Sequence, residues 1–258
     1  MSIDTLSTAQ GQSSDILPSA VSMPTSGEPF DPPFRTAKVS TMRKKIGQNL
    51  LASKLAAPHF YLSAEVKVDA IIAYREKIKA EEAKINPTLN DFIIRAVALA
   101  LKDVPDINAQ LSNDELRKFN RSDVAFAVAI ASGLVAPVIR AADSKSLFSI
   151  AEETATIIER ARNNKLSPDD YRGGTFTVSN LGGFRVREFI AIINRPQAGI
   201  LAIGRSSSRP ILNDGRLEIE TVLIATLSAD HRVIDGATGA RFLEAIQDRL
   251  ETPTRLLN

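Results

Sequence analysis

The 258-residue sequence contains no cysteine and no tryptophan, and only two histidines, His59 and His231. Without cysteine, disulfide staples, thiolate metal sites and cysteine nucleophiles are excluded. Two histidines far apart in sequence also argue against a transition-metal site, which generally draws on several His or Cys ligands. No metal is therefore expected. No apolar run reaches the ~18 residues that a membrane helix needs. The N-terminus shows neither a charged leader with an apolar core nor an arginine-rich amphipathic stretch. The expectation is a cytoplasmic protein with no membrane partner. The net charge is only +2. Residues 1–35 carry Asp4, Asp15, Glu28 and Asp31 against Arg35 alone, which leaves the rest modestly basic. That excess is too weak and too dispersed to indicate nucleic acid.

Hydrophobic residues make up 44% of the chain and charged residues 24%, an ordinary globular balance with enough core to stand alone. Residues 1–37 are rich in Ser, Thr, Pro and Gly and lack hydrophobic periodicity, as a flexible tail or linker does. Residues 38–258 carry alternating helix and strand patterns. "TMRKKIGQNLLASKLAA" places Met42, Ile46, Leu50 and Leu51 at helical spacing behind a possible Ser40 N-cap, and Pro58 ends it. "HFYLSAEVKVDA" alternates as a strand. "AIIAYREKIKAEEAKI" and "TLNDFIIRAVALALKDV" read as helices, the second opened by Thr88 with Asp91 three residues on. "SDVAFAVAIASGLVAPVIR" reads as two strands about a Ser132–Gly133 turn, and residues 144–164 as a helix with Leu147, Ile150, Ile157 and Ile158 on its apolar side. "GGTFTVSNLGGF" is a strand running into a glycine-rich bend. Residues 198–230 hold three strand-like runs, two of them joined by a tight turn at Asn213-Asp214-Gly215. "GATGARFLEAIQDRLE" is the last helix. The pattern is α/β with several antiparallel pairings, so a mixed sheet is expected.

Two stretches carry the side chains suited to chemistry. In "SADHRVIDGATGARF", His231 follows an apolar strand and precedes a helix, where a scaffold holds reactive groups in place. A helical turn there would put Asp235 on the same face as His231, able to orient the imidazole. On spacing alone the alternative stands beside it: His231 decorates a loop and Asp235 caps the helix. In "GGTFTVSNLGGF", Ser179 ends a strand just before Asn180 and the glycines. A hydroxyl there suits donation to a developing oxyanion; equally, Ser179 and Asn180 suit the satisfaction of turn amides. The glycines follow neither nucleotide-binding order. His59 reads as a structural histidine, and Phe60 and Tyr61 as packing residues.

Taken together these stretches resemble the catalytic domain of the dihydrolipoamide acyltransferases, the core components of 2-oxo acid dehydrogenase complexes. "DHRVIDGA" is similar to the family's active-site signature, and "GGTFTVSNLGGF" with "AIINRPQAGILAIG" to a second one. "MRKKIGQNLLASKLAAPHFYL", "LNDFIIRAVALALKDVPDIN" and "GLVAPVIRAAD" match in the same order. The resemblance spans residues 38–258. It implies a two-layer fold like chloramphenicol acetyltransferase, assembled as a homotrimer with active sites between subunits. It implies His231 as general base, Ser179 as the hydroxyl that stabilises the tetrahedral intermediate, and Asp235 in an orienting or structural role. Asn180 and Leu134 are the expected substrate-binding residues. The histidine of one subunit would face the serine of its neighbour.

The implied reaction moves acetyl between a dihydrolipoyl thioester and coenzyme A, as in the pyruvate dehydrogenase complex. No tightly bound cofactor is implied; coenzyme A is a substrate. The short tail leaves no room for a lipoyl domain, so the lipoyl group is expected on a partner or on a missing portion of a longer protein. Other implied partners are the 2-oxo acid decarboxylase and dihydrolipoamide dehydrogenase components. The implied assembly extends to a cubic or icosahedral core, with Leu256 and Leu257 as a terminal contact. Gly183, Arg185 and Arg195 depart from the family pattern and bear on acyl preference, leaving succinyl and branched-chain groups open. Two further alternatives are a non-catalytic structural core and an acyltransferase for an alcohol or amine acceptor.

Overall fold

The computed structural model describes residues 35–81, 84–112, 115–130 and 133–257. The expected tail lies outside them up to residue 34, as does Ser132.

The first helix, α1 (Thr41–Ala56), begins where expected: the Ser40 hydroxyl accepts from the Arg43 N–H at 3.2 Å. Among the described residues little covers its apolar stripe beyond the half-buried Ile46. Ser53 is the one buried residue of α1, while Leu50, Leu51 and Leu55 are exposed. Next come β1 (His59–Lys67), α2 (Asp69–Ala80) and α3 (Leu89–Asp103). The anticipated longer run of α2 stops at Ala80. The Thr88–Asp91 capping box is present, and Asp91 also accepts from the Thr154 hydroxyl at 2.6 Å. Ten of the fifteen α3 residues are buried, so this helix is the spine of the core rather than a surface element.

A small hairpin that the pattern did not reveal follows, β2 (Ala109–Ser112) with β3 (Glu115–Lys118). The two strands expected over residues 122–140 become four short ones: β4 (Val124–Phe126), β5 (Val128–Ile130), β6 (Gly133–Val135) and β7 (Val138–Ile139). β4 and β7 enter the main sheet, whereas β5 and β6 pair only with each other. The helix α4 (Leu147–Arg162) buries Leu147, Ile150 and Ile157. The remaining elements are β8 (Phe176–Asn180), β9 (Gly199–Ile203), β10 (Ser207–Asn213), β11 (Arg216–Asp230) and α5 (Gly236–Glu251). The β10–β11 turn is the anticipated one: Asp214 and Gly215 both have positive φ, 47° and 77°, as a two-residue hairpin loop demands.

The main sheet has seven strands in the order β1-β11-β9-β8-β4-β7, with β10 added to β11. It is mixed: β4, β8 and β9 run parallel and the other pairs are antiparallel. One face packs on α3 and α5 through Phe176, Phe242, Leu227 and Ile94, all fully buried. Leu256 overturns one expectation. It is fully buried in this same core and Leu257 packs against it, so the chain's own helices supply the partners that a linear reading of "TRLLN" did not reveal.

Candidate active site

β11 ends at Asp230, and the chain turns there before α5 begins. The turn is closed by the Val233 and Ile234 N–H groups, both donating to the Asp230 carbonyl at 2.9 Å. His231 is held at its backbone, where its N–H donates to the Pro58 carbonyl at 3.0 Å. Its ring packs on Phe60 with centroids 4.5 Å apart. Neither ring nitrogen is hydrogen-bonded to another described residue, so the imidazole is free to take a proton from a ligand.

The groups around it are fixed by their own bonds. Asp235 is the N-cap of α5, accepting from the Thr238 N–H at 2.7 Å. That backbone bond, the Thr238 hydroxyl and the nearby charges of Arg241 and His231 hold its carboxyl below the usual range. It makes no hydrogen bond to His231, so the capping alternative is the one its geometry expresses. Asp230 is buried. Burial pushes its carboxyl up, but the charged Arg232 guanidinium (2.9 and 2.6 Å) and the Arg232 N–H (3.1 Å) outweigh that and hold it low. His59 uses both ring nitrogens within the chain: Nδ1 donates to the Ala57 carbonyl at 2.8 Å and Nε2 accepts from the Ile193 N–H at 3.2 Å. The neutral tautomer protonated at Nδ1 is the one that makes both bonds. This is the structural histidine that its apolar setting suggested.

Ser179 is the fourth residue of β8 and half-buried. Its hydroxyl has no hydrogen-bond partner among the described residues. The neighbouring hydroxyls differ: Thr177 donates to Gln197 and Thr226 pairs with Ser63 at 3.0 Å. A hydroxyl left uncommitted at a strand end is available to donate to a ligand oxygen. The Asn180 carboxamide is engaged at both ends, donating to Asn90 Oδ1 (3.0 Å) and accepting from the Gly182 N–H (2.7 Å). Leu134 lies on β6 and is 56% exposed. The Ala127 N–H donates to the Val178 carbonyl, so the β5–β6 hairpin rises from the end of the sheet that carries Ser179.

One chain does not bring Ser179 and His231 together. Ser179 pairs with Ala202 on β9, and Ala202 pairs with Thr226 on β11. The Asp230 N–H, by contrast, reaches the Ala198 carbonyl, at the opposite end of β9. Five residue rises along the sheet and two strand spacings across it separate the two backbones by about 19 Å, too far for the side chains to share one carbonyl. Surface concavities around Arg160, Arg249 and Arg209 include neither residue. Phe60, which the sequence suggested only as packing, touches His231 because β1 pairs with the end of β11; no local signal in the sequence gives that register.

The mixed seven-stranded sheet with α3 and α5 packed on one face defines a two-layer α/β architecture. Comparison with known proteins agrees. Residues 31–258 match the family of 2-oxoacid dehydrogenases acyltransferase (catalytic domain), and the chain belongs to that family. It is 45% identical over 227 residues to the dihydrolipoyllysine-residue acetyltransferase component of the pyruvate dehydrogenase complex of Rickettsia bellii, covering 87% of this chain and 54% of that protein. The chain spans about half the length of the curated relatives it matches. Among solved structures, Azotobacter vinelandii dihydrolipoamide acetyltransferase superposes with a TM-score of 0.83 at 33% identity, covering 88% of this chain and 95% of that one. In that enzyme a serine, a histidine and an asparagine are named for their role in the catalytic mechanism. The cubic core of the pyruvate dehydrogenase multienzyme complex superposes with a TM-score of 0.80 at 34% identity, covering 90% of this chain and all of that one. Chloramphenicol acetyltransferase, at 16% identity and a TM-score of 0.53 over 79% of this chain and 94% of that one, shares the fold. Among the described residues, no helix is long and apolar enough to cross a membrane.

Proposed function

We propose that this chain transfers an acetyl group between a dihydrolipoyl thioester and coenzyme A, at a site built from His231 of one copy and Ser179 of another. The observation that carries this reading is the pair of unengaged groups, an imidazole and a hydroxyl, at opposite ends of one sheet. Each suits its task and neither is of use to the other within a chain. The serine and histidine named for the Azotobacter vinelandii enzyme stand the same number of positions apart as Ser179 and His231. The asparagine there follows its histidine at the interval by which Asp235 follows His231.

The chemistry follows from those groups. A free thiol has a pKa of about 8.5, so little thiolate exists at neutral pH. His231 takes the coenzyme A thiol proton as sulfur attacks the thioester carbonyl, a contribution of about 10²–10⁴ in rate. The Ser179 hydroxyl donates to the oxyanion, where one good donor is worth about 3–4 kcal/mol. Collapse expels the dihydrolipoyl sulfur, which receives the proton from His231. No enzyme thiol is needed, in keeping with a chain that has none.

In this reading residues 38–258 are the catalytic domain and residues 1–37 a tail. The domain works as a cytoplasmic homotrimer within a larger core, beside decarboxylase and dihydrolipoamide dehydrogenase components. The lipoyl group is carried outside these 258 residues. The test is an assay with free dihydrolipoamide and acetyl-, succinyl- and isobutyryl-coenzyme A. His231→Ala should lower acetyl transfer at least about a hundredfold with the oligomer intact. No transfer by the wild-type chain would indicate a scaffold instead, and near-normal turnover by the variant would remove His231 from the mechanism.

A further inference from the structure

We propose that Asn180 is a positioning residue that fixes the Ser179 hydroxyl by tying the end of β8 to the buried helix α3. The proposal rests on the reading of Ser179 as the oxyanion donor.

The β8–β9 ladder holds Ser179 opposite Ala202 and runs on to Leu181, whose N–H donates to the Ile203 carbonyl at 2.9 Å, after which the chain leaves the sheet. Asn180 adds a second constraint from its side chain. Its Oδ1 accepts from the Gly182 N–H, closing the bend immediately after Ser179, while its Nδ2 reaches Asn90 Oδ1 in the first turn of α3. The bend is moulded around the carboxamide: a Cβ on Gly182 would lie 2.9 Å from Asn180 Oδ1.

The anchor itself is rigid. Asn90 stands between Thr88 and Asp91, whose capping box closes the helix start. Asp91 is 3% exposed and bonded on to Thr154 in α4. Side chains thus tie α3 to α4 through Asp91 and to the residue beside Ser179 through Asn90, its neighbour in the first turn. Such a brace matters for a donor that must meet an oxyanion within about half an ångström, and a displacement of about 1 Å at a reacting group costs as much as 10²-fold. Each end of the carboxamide is bound inside the chain, which fixes its orientation and leaves one N–H and one oxygen lone pair uncommitted among the described residues.

The test is a double-mutant cycle on the full chain, assayed for acetyl transfer to dihydrolipoamide. Asn180→Ala and, separately, Asn90→Ala should each lower kcat about tenfold or more, with KM for acetyl-coenzyme A changed less than about twofold. In a Ser179→Ala background neither should lower the residual rate further, because the group they position is gone. Asn90→Asp keeps the acceptor for Asn180 Nδ2 and should retain kcat. Asn90→Ala leaves β8 untouched, so the cycle survives if Asn180→Ala does not fold. Equal losses in both backgrounds, a raised KM, or unchanged kcat would each overturn the positioning role. A wild-type chain without transferase activity, or a Ser179→Ala variant as active as wild type, would instead overturn the functional reading beneath it.

Discussion

The Phe60 ring packs against the His231 imidazole with centroids 4.5 Å apart and planes inclined at 47°. Phe60 pairs with Ala229 across β1 and β11, so the contact is set by strand register rather than by a loop. With neither imidazole nitrogen bonded to another described residue, this aromatic contact restrains the ring orientation of the proposed base. An aromatic pair of this kind is worth about 0.5–1.5 kcal/mol, which converts to roughly two- to thirteenfold in the fraction of correctly oriented imidazole. Phe60→Leu is expected to lower kcat by that factor while circular dichroism stays normal. Steady-state kinetics of the variant decide it; an unaltered kcat would show that the ring is held by something else.

The separation of Ser179 from His231 within a chain makes a sharp prediction about mixtures. His231→Ala and Ser179→Ala chains are each expected to be inactive alone. Unfolded together and refolded at equal concentrations, they form rings in which about a quarter of the interfaces combine an intact histidine with an intact serine, by symmetry and random assortment. Activity should return to about that fraction of wild type. A mixture as inactive as its components would place the whole site in one chain.

Leu256 belongs to the monomer's core, and its substitution should register there. Leu256→Ala removes a fully buried side chain, for which the expected loss is about 2–5 kcal/mol. Urea denaturation followed by circular dichroism measures this. A variant of wild-type stability with a smaller assembly would mean that the residue serves contacts between copies instead.

Asp230 gives a pH dependence with a definite sign. Its carboxyl is held below its ordinary value in the fold, so its pairing with Arg232 stabilises fully above the unfolded pKa of about 3.9. As the pH falls through the folded value, protonation removes that contribution. Asp230→Asn should be less stable than wild type at neutral pH and lose less stability between about pH 4 and pH 2. Thermal melts across that range provide the measurement; parallel curves for the two proteins would rule the pair out as an acid-sensitive element.

The sequence by itself determined the local events. Ser40 and Thr88 start helices, Asp214-Gly215 turns a hairpin, and His231 and Ser179 stand at strand ends, because capping, turn conformation and periodicity act over a few residues. Only the tertiary structure decided which ends those were. Strand order put Ser179 and His231 at opposite ends of the sheet, and register set Phe60 beside the imidazole and Ser63 beside Thr226. The same long-range packing buried Leu256 while leaving Leu51 and Leu55 of α1 exposed, although all three are leucines in helical turns. Burial and pairing depend on residues distant in sequence, and no window along the chain contains both partners.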